Sequence, residues 1–338
     1  MRITMNDIAK KLNISVNTVS KALNGKAKVS DSLRETIIKT AEEMGYVKNQ
    51  NAARLATKPL KIGVIICGYD KNYYQYTLSG LKKAFSQLAD SNVLYEIKLF
   101  RPDAPLSECV LAGIAELEDK NFDGIIFNDI HLPCLQKELL RLQHKGIATA
   151  LLNYDIPGSS RSFCVTNNYS LSASFAAEQL AISLKHSEQK NILLATHGSQ
   201  SHGQSALAHE FQSAAKRFGL SVTRICNTSE EQFLKCITSD IQGIYITHAN
   251  SLSVCQYLSE CKFSPTLILS DIYPEMSPYF EDGTITASIF QNPQKQAYKT
   301  VMKLYQILSE AKSQEDLIIE PLLLLRSNYH LFLSDTGR

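Results

Sequence analysis

The sequence predicts an α/β protein preceded by a small helical domain. Three observations indicate this organisation. Short apolar runs alternate with amphipathic stretches after Pro59, whereas the segment before it is dense in helix signals. The first 60 residues carry 11 Lys and Arg against 5 Asp and Glu, and the remainder carries 24 against 28. A basic segment joined to an acidic body is typical of a polyanion-binding module attached to a sensor domain.

The N-terminal segment predicts three helices, capped by Thr4, Ser15 and Ser30. The second helix is expected over residues 16–23 and the third over residues 31–44, each with a stripe of apolar side chains on one face. Two short helices joined by a tight turn, with a third to complete the core, form a helix-turn-helix. A generic three-helix bundle with a solvated polar face fits the same periodicity equally well.

The body predicts parallel sheets with helices on both faces. A chain of 338 residues is too long for one ordinary core. Two such α/β halves, hinged near residues 156–162, would leave a ligand cleft between the carboxyl ends of their strands. Strands are expected at Ile62–Cys67, Leu94–Leu99, Gly124–Phe127, Ala148–Leu152, Asn191–Ala195, Gly243–Thr247 and Thr266–Ser270.

Several function classes find no support in the sequence. The eight cysteines form no C-x-x-C pair and are expected to be free thiols. No apolar run approaches the length of a membrane helix, and the N-terminus has no signal-peptide pattern, so a cytoplasmic location is expected. Neither a nucleotide-binding glycine motif nor a nucleophile elbow is present. We therefore expect no catalytic residues, no metal and no cofactor.

Specific residues distinguish the two interpretations of the N-terminal segment. Together they resemble the lactose-repressor (LacI/GalR) family, and their spacing matches without a gap. The matching residues are Thr4-Met5-Asn6-Asp7-Ile8-Ala9, Ile14-Ser15-Val16-Asn17-Thr18-Val19-Ser20-Lys21-Ala22-Leu23-Asn24, Val29-Ser30, Gly45-Tyr46 and Asn49. The resemblance implies a helix-turn-helix domain at residues 1–48, whose second helix enters the major groove of DNA.

Carried over to this chain, the family pattern divides the head residues into two groups. The expected base contacts are Val16, Asn17 and Lys21, and the expected phosphate contacts are Thr4, Ser15, Thr18 and Asn24. Most members have Arg where this chain has Lys21. Because lysine lacks the bidentate fork of arginine, we expect softer discrimination at the base that Lys21 contacts.

The resemblance also implies a hinge helix and linker at residues 49–59. In the family, a hinge leucine is wedged into a minor-groove step of the operator, and Leu55 occupies that position. Arg54 would support this contact electrostatically. Members usually have Pro where this chain has Lys48, a difference that alters the entry to the hinge and adds a possible phosphate contact.

The body, residues 60–338, resembles the sugar-binding periplasmic type of domain found in the same family. The matching stretches include Ile62-Gly63-Val64-Ile65-Ile66, Asp123-Gly124-Ile125-Ile126 and Ser270-Asp271. The resemblance implies an N-subdomain of about 60–158 and 292–318, and a C-subdomain of about 159–291 and 319–333. It places Tyr73 or Tyr74 against a sugar face and Asp271 and Gln291 on hydroxyl groups.

Three departures from the family pattern bear on the ligand. Asn153-Tyr154 stands where many members have Asp-Arg, Asn167 replaces an aspartate, and Leu207 is the nearest match to a ligand-gripping arginine. Charged hydroxyl-binding groups are thus neutralised or moved. We infer as a hypothesis that the ligand is not a standard neutral hexose or pentose. The expected replacement contacts come from Asn128, Asn153, His248 and Asn250.

These inferences converge on a homodimeric transcription regulator. It would bind a pseudo-palindromic double-stranded operator and repress a carbohydrate-uptake or catabolic operon under control of a sugar-like effector. The alternative from another class is a ligand-blind or partner-controlled DNA-binding protein whose body only dimerises.

Overall fold

The computed structural model divides into two compact units, residues 1–58 and 59–338. The described residues are 3, 5–23, 29–44, 58–67, 71–100, 105–128, 130, 132–196, 202–226, 233–247, 251–261 and 263–333. Within these ranges the side chains of residues 71–73, 202–205, 224 and 226 are not described.

The first unit contains three helices: α1 (Met5–Leu12), α2 (Val16–Leu23) and α3 (Asp31–Glu43). Asn13, in the left-handed region with φ of 51°, makes the tight turn between α1 and α2. The helices share a small core because each places apolar residues on one face. The buried members of this core are Ile8, Ala9, Val19, Ala22, Ile37 and Ala41. The predicted three-helix arrangement is confirmed.

The second unit consists of two six-stranded sheets with helices between and around their strands. The first sheet has the strand order β11-β5-β4-β3-β1-β2, and the second has the order β12-β10-β9-β8-β6-β7. The strands are β1 (Leu60–Cys67), β2 (Val93–Phe100), β3 (Gly124–Asn128), β4 (Ala148–Asn153), β5 (Phe163–Asn167), β6 (Asn191–Ala195), β7 (Ser221–Cys226), β8 (Gly243–Ile246), β9 (Thr266–Ser270), β10 (Ala287–Phe290), β11 (Leu317–Ile319) and β12 (Leu322–Leu324).

All strand pairs are parallel except β10 with β12. The central strands read as continuous apolar runs because helices cover both faces of a parallel sheet. The predicted α/β class with two parallel sheets is confirmed. The helices are α4 (Lys71–Gln87), α5 (Leu106–Asp119), α6 (Leu135–His144), α7 (Tyr169–Ser183), α8 (His202–Arg217), α9 (Leu252–Glu260), α10 (Ser277–Glu281), α11 (Pro293–Glu310) and α12 (His330–Leu333), with 3-10 turns at Ala89–Ser91 and Pro274–Met276.

The first crossing between the halves lies later than the sequence suggested. Strand β5 pairs with β4, with Ala150 opposite Phe163, so residues 159–167 belong to the first sheet rather than to the second subdomain. The break at Ile156-Pro157-Gly158 is a turn within the first half, closed by a bond from the Ser159 amide to the Ile156 carbonyl oxygen. Turn residues near a domain crossing look the same in sequence whether the chain leaves the sheet or returns to it.

The chain crosses back into the first half through α11. This helix packs on α4 and on β3, β4 and β5. The two helices approach closely at Gly80, where an added Cβ would lie 2.1 Å from the backbone carbonyl oxygen of Gln294. A side chain at that position would therefore push α4 away from α11. Among the helices described, none has the length and apolar character required to cross a membrane.

Candidate functional site

The start of α2 is held by Ser15 at its N-cap. The Ser15 hydroxyl oxygen accepts a hydrogen bond of 3.1 Å from the Thr18 backbone amide. It also lies 2.8 Å from the Thr18 hydroxyl oxygen. The capping role predicted for Ser15 is thus observed, and both hydroxyls sit at the positive end of the helix where a phosphate oxygen is favoured.

The predicted base-contacting residues share the outer side of α2. Val16 is 39% exposed and Asn17 is also exposed, whereas Lys21, one turn further along, is half-buried. On the opposite side, Val19 and Ala22 are buried in the core. The helix therefore keeps its polar face available while its apolar face anchors it to α1 and α3.

Among the other residues predicted for the first unit, Ser30 does not make the capping hydrogen bond expected of it. Ser30 occupies the N-cap position of α3, but its side chain makes no capping hydrogen bond, contrary to the prediction. Its hydroxyl oxygen instead lies 3.5 Å from that of Ser32. Thr4, Asn24 and Leu55 lie outside the described residues.

In the second unit, three asparagines end three neighbouring strands of the first sheet. Asn128 ends β3, Asn153 ends β4 and Asn167 ends β5. Asn128 and Asn167 are each 2% exposed, and no described residue donates a hydrogen bond to either side-chain oxygen. Buried polar atoms are normally paired. These two oxygens lack a donor among the described residues, and they lie at the carboxyl edge of the sheet, where ligands bind in open α/β sheets.

Asn153 differs from the other two because its backbone is left-handed, with φ of 71°. Its carbonyl oxygen accepts hydrogen bonds from the Thr166 hydroxyl at 2.9 Å and from the Tyr169 hydroxyl at 2.8 Å. These bonds tie the end of β4 to β5 and to the start of α7.

Asp271 and Gln291, both predicted to bind ligand, bind each other. One carboxylate oxygen of Asp271 accepts from the Gln291 backbone amide at 2.8 Å, and the other accepts from the Gln291 side-chain amide at 3.1 Å. Asp271 is 1% exposed and has a left-handed φ of 62°. A carboxylate buried to this degree requires hydrogen-bond donors, and Gln291 supplies two of them from within the protein.

Gln291 extends the pair into a wider amide network. The side-chain nitrogen of Asn167 lies 3.4 Å from the Gln291 side-chain oxygen and 2.9 Å from the Ser172 hydroxyl oxygen. The side chain of Gln296, fully buried on α11, donates a 2.9 Å hydrogen bond to the Gln291 carbonyl oxygen. No described residue donates to the Gln296 side-chain oxygen. Sequence reasoning missed Gln296, since a glutamine inside an amphipathic helix carries no distinguishing signal.

A second residue missed by sequence reasoning, Tyr76, joins the two halves. It lies on α4 of the first half, but its ring is buried in the core of the second, 5.7 Å from Phe290 and 6.0 Å from Tyr273 between ring centroids. Burial, and to a lesser extent the Asp271 and Glu275 carboxylates, raise the pKa of Tyr76 above its ordinary value. Its hydroxyl therefore stays protonated and acts as a donor.

Of the other predicted ligand residues, only Tyr74 has a described side chain. Tyr74 is half-buried and packs against the core of the first sheet. The side chain of Tyr73 and all of His248 and Asn250 lie outside the described residues. In the part of the chain that is described, no group of three or more His, Cys, Asp or Glu side chains is arranged to hold a metal ion.

Two family models match this chain. Residues 62–312 match the model described as a periplasmic binding protein domain. Residues 4–49 match the model of bacterial regulatory proteins of the lacI family. The two matches fall on the two units of the structure.

The names of several similar proteins state a function, and two of them are compared below with this chain. The ribitol operon repressor of Klebsiella aerogenes is 28% identical over 172 residues, which are 50% of this chain and 60% of that protein. Catabolite control protein A of Priestia megaterium is 28% identical over 194 residues, covering 57% of this chain and 54% of that protein. The chain thus spans less than two thirds of the length of either relative.

The fold is also similar to a solved structure, GanP, a glucose-galactose binding protein from Geobacillus stearothermophilus. The TM-score is 0.69 at 19% sequence identity, with 81% of this chain and 99% of that chain covered. At this identity the similarity establishes the fold of the second unit.

Proposed function

Because this chain belongs to the periplasmic binding protein domain family over most of its length and begins with a lacI-family regulatory domain, we propose that it is a sequence-specific transcription regulator. It binds an operator through α2 and represses a carbohydrate-uptake or catabolic operon in response to a sugar-like ligand held between its α/β halves. The relatives named for the ribitol operon and for catabolite control support this assignment.

The observation that carries the DNA-binding part is the two-sided character of α2. Asn17 is exposed on the face opposite buried Val19. Its amide has the donor and acceptor needed for paired contacts to an adenine edge, and Lys21 donates to guanine O6 or N7. Ser15 and Thr18, at the N-terminus of the helix, set the register on the phosphate backbone.

The ligand part of the proposal is supported by the amide-rich edge of the first sheet. The oxygens of Asn128 and Asn167 are buried acceptors with no donor among the described residues, and ligand hydroxyl groups would supply those donors. Because asparagines stand where the family has charged groups, the proposed ligand is a sugar derivative or polyol rather than a standard neutral hexose or pentose.

The assembly and location are part of the same proposal. Two copies form a homodimer in the cytoplasm, and its two-fold axis matches that of a pseudo-palindromic operator with half-sites roughly 34 Å apart. The proposal assigns no catalytic step, metal or cofactor to this chain. The bound ligand changes operator affinity to the extent that it binds the two states of the body differently.

Selection of DNA from a random library tests the DNA-binding part. We expect recovered sites to contain two inverted half-sites. The Asn17→Ala variant should lose roughly 1–3 kcal/mol on the selected site and relax its preference at one base step. An equal loss on all sequences would show that Asn17 contacts only the backbone.

A thermal-shift panel of sugars, sugar acids, polyols and sugar phosphates tests the ligand part. A ligand at about a hundredfold above its dissociation constant should stabilise the protein by roughly 2.7 kcal/mol. The same compound must also change operator affinity. Asn128→Ala should weaken the response, with Gln136→Ala, an exposed amide on α6 outside the site, as control.

The alternative, a DNA-binding protein that responds to no small ligand, is favoured by one observation. Asp271 and Gln291 occupy each other's hydrogen-bonding groups, which removes two side chains expected to grip a ligand. The panel distinguishes the two functions. A compound that stabilises the protein and shifts operator affinity excludes the alternative, whereas no response across the panel supports it.

A further inference from the structure

A cavity of about 400 Å³ lies beside the end of β10. It is bordered by α4, by the start of α11 and by the short C-terminal helix α12. Its lining residues are Lys83, Phe290, Asn292, Gln294, Lys295, Tyr298, Lys299, Leu331 and Phe332. This volume is within the range of roughly 300–1,000 Å³ that is typical of small-molecule sites.

Three lysines, all of them exposed, line the cavity, and no acidic residue lines it. Lys83 comes from α4, and Lys295 and Lys299 come from α11. Among the described residues, no carboxylate is within ion-pair distance of these three ammonium groups, although lysines elsewhere in the second unit are paired, such as Lys98 with Glu116 at 2.6 Å. Lys295 and Lys299 are four positions apart, where like charges on a helix repel and destabilise it.

Apolar surface adjoins these charges. Phe290 is 3% exposed, and Leu331 is 64% exposed although it is a large aliphatic residue at the rim. Phe332 packs on Phe290 with ring centroids 5.7 Å apart. An inorganic anion would satisfy the lysines but leave the exposed Leu331 and the half-buried Phe332 uncovered. A compound with both an anionic group and a ring or alkyl part would cover both.

We propose that this cavity is a second small-molecule site, which binds an organic anion carrying a phosphate or carboxylate group on an apolar or aromatic body. The three ammonium groups receive the anion, and Leu331 and Phe332, the latter supported by the buried Phe290, contact the apolar part. None of the three strand-end asparagines and neither Asp271 nor Gln291 lines this cavity, although Phe290 and Asn292, which do line it, flank Gln291 in the chain.

The position of the cavity gives the bound anion a regulatory consequence. The three lysines lie on helices that pack on the first sheet, whereas Phe290 and Phe332 belong to the core of the second. An occupant therefore contacts both α/β halves at once and stabilises their present arrangement. Any ligand whose binding requires the same arrangement would gain affinity when the anion is bound.

Calorimetric titration of the full-length protein with phenyl phosphate tests the proposal, with inorganic phosphate, benzoate and phenol as comparison probes. We expect saturable binding of one phenyl phosphate per chain, tighter than that of inorganic phosphate or phenol. Benzoate binding as tightly would identify the favoured anion as a carboxylate, within the same proposal. The variant Lys83→Gln/Lys295→Gln/Lys299→Gln should bind phenyl phosphate at least about tenfold more weakly.

The matched control removes the same charge elsewhere. In Lys137→Gln/Lys185→Gln/Lys216→Gln the substituted lysines are exposed and lie outside the cavity, so affinity should stay within about twofold. Leu331→Ser should weaken phenyl phosphate but leave inorganic phosphate unchanged. An equal loss of phenyl phosphate affinity in the two triple variants would show that only the overall charge of the protein matters. Unchanged affinity in the cavity variant would show that the anion binds elsewhere. Either result, or no saturable binding up to about 10 mM probe, overturns the proposal.

Discussion

The hydroxyl group of Tyr76 donates a 3.0 Å hydrogen bond to the carbonyl oxygen of Ile272, 196 positions away in the chain. The donor lies on a helix of the first half, and the acceptor follows a central strand of the second. Since the Tyr76 ring is also 2% exposed within the core of the second half, this residue couples the two halves through both a polar and an apolar contact.

Tyr76→Phe should therefore weaken the second unit while leaving its ring packing intact. The loss of one buried hydrogen bond is expected to lower the free energy of unfolding by about 1 kcal/mol. Urea denaturation followed by fluorescence measures this difference. Tyr74→Phe is the control, because Tyr74 packs on the first core without a hydrogen bond to a described residue. An unchanged midpoint for Tyr76→Phe would show that the bond contributes nothing net.

Gln291→Glu should make stability strongly dependent on pH. The substitution places a carboxylate against Asp271, whose oxygens now accept from Gln291 at 2.8 and 3.1 Å. Repulsion would raise the pKa of the pair in the folded state above its unfolded value, so the variant's stability should fall as pH rises through the interval between those values. Unfolding at pH 5 and pH 8 should show the larger deficit at pH 8.

The control for this substitution is Gln87→Glu, the same chemical change at an exposed position. The Gln87 side-chain oxygen accepts a hydrogen bond from the Tyr298 hydroxyl, and a glutamate there keeps an acceptor. Its stability should follow the wild-type pH profile. If Gln291→Glu also follows that profile, the two carboxylates have moved apart and the pairing of Asp271 with Gln291 is not required by the fold.

The two serines at helix starts should differ in their contribution to the head. Ser15→Ala removes the side-chain acceptor of the Thr18 amide and should cost about 1 kcal/mol. Ser30→Ala removes no capping bond and should change stability by less than about 0.5 kcal/mol. Hydrogen–deuterium exchange of peptides covering α2 and α3 in the full chain measures both effects. Equal exchange in the two variants would contradict the observed difference between the caps.

Glu118 should make the second unit sensitive to acid. Its carboxylate accepts from the two terminal guanidinium nitrogens of Arg141 at 2.7 and 2.6 Å, and from Lys145 at 2.8 Å. The Arg141 hydrogen bonds are the main cause that lowers the pKa of Glu118 below its ordinary value, although partial burial opposes them. The folded carboxylate therefore adds stability above its unfolded pKa, and this stability is lost as pH falls through the lowered folded pKa.

The measurable consequence is a difference in the free energy of unfolding between Glu118→Gln and the wild type, and this difference disappears at low pH. Glu118→Gln should be less stable than the wild type at pH 7, and the two should converge as pH falls below 4. Glu178→Gln is the control, because Glu178 is exposed and has no ion pair among the described residues. If Glu118→Gln stays less stable than the wild type by the same amount down to low pH, the lost stability comes from packing rather than from charge.

Much of the fold was predictable because its signals are local. The head helices followed from apolar residues at helical spacing, and α2 was predicted with its observed bounds, Val16–Leu23. The buried central strands were visible as apolar runs. The short strands β11 and β12 were not predicted, since three residues each carry no periodic signal and form only by pairing with β5 and β10. Strands β5, β7 and β10 were not predicted either.

The same distinction between local and long-range signals applies to the candidate site. The sequence by itself determined the class of the chain, the outward face of α2 and the asparagines at strand ends, because these depend on residues a few positions apart. Only the tertiary structure decided that Asp271 and Gln291 bind each other, that Tyr76 enters the second core, and that three lysines meet an apolar wall. Those contacts depend on how the chain crosses between two sheets, and no local pattern encodes the distance between residues brought together by such crossings.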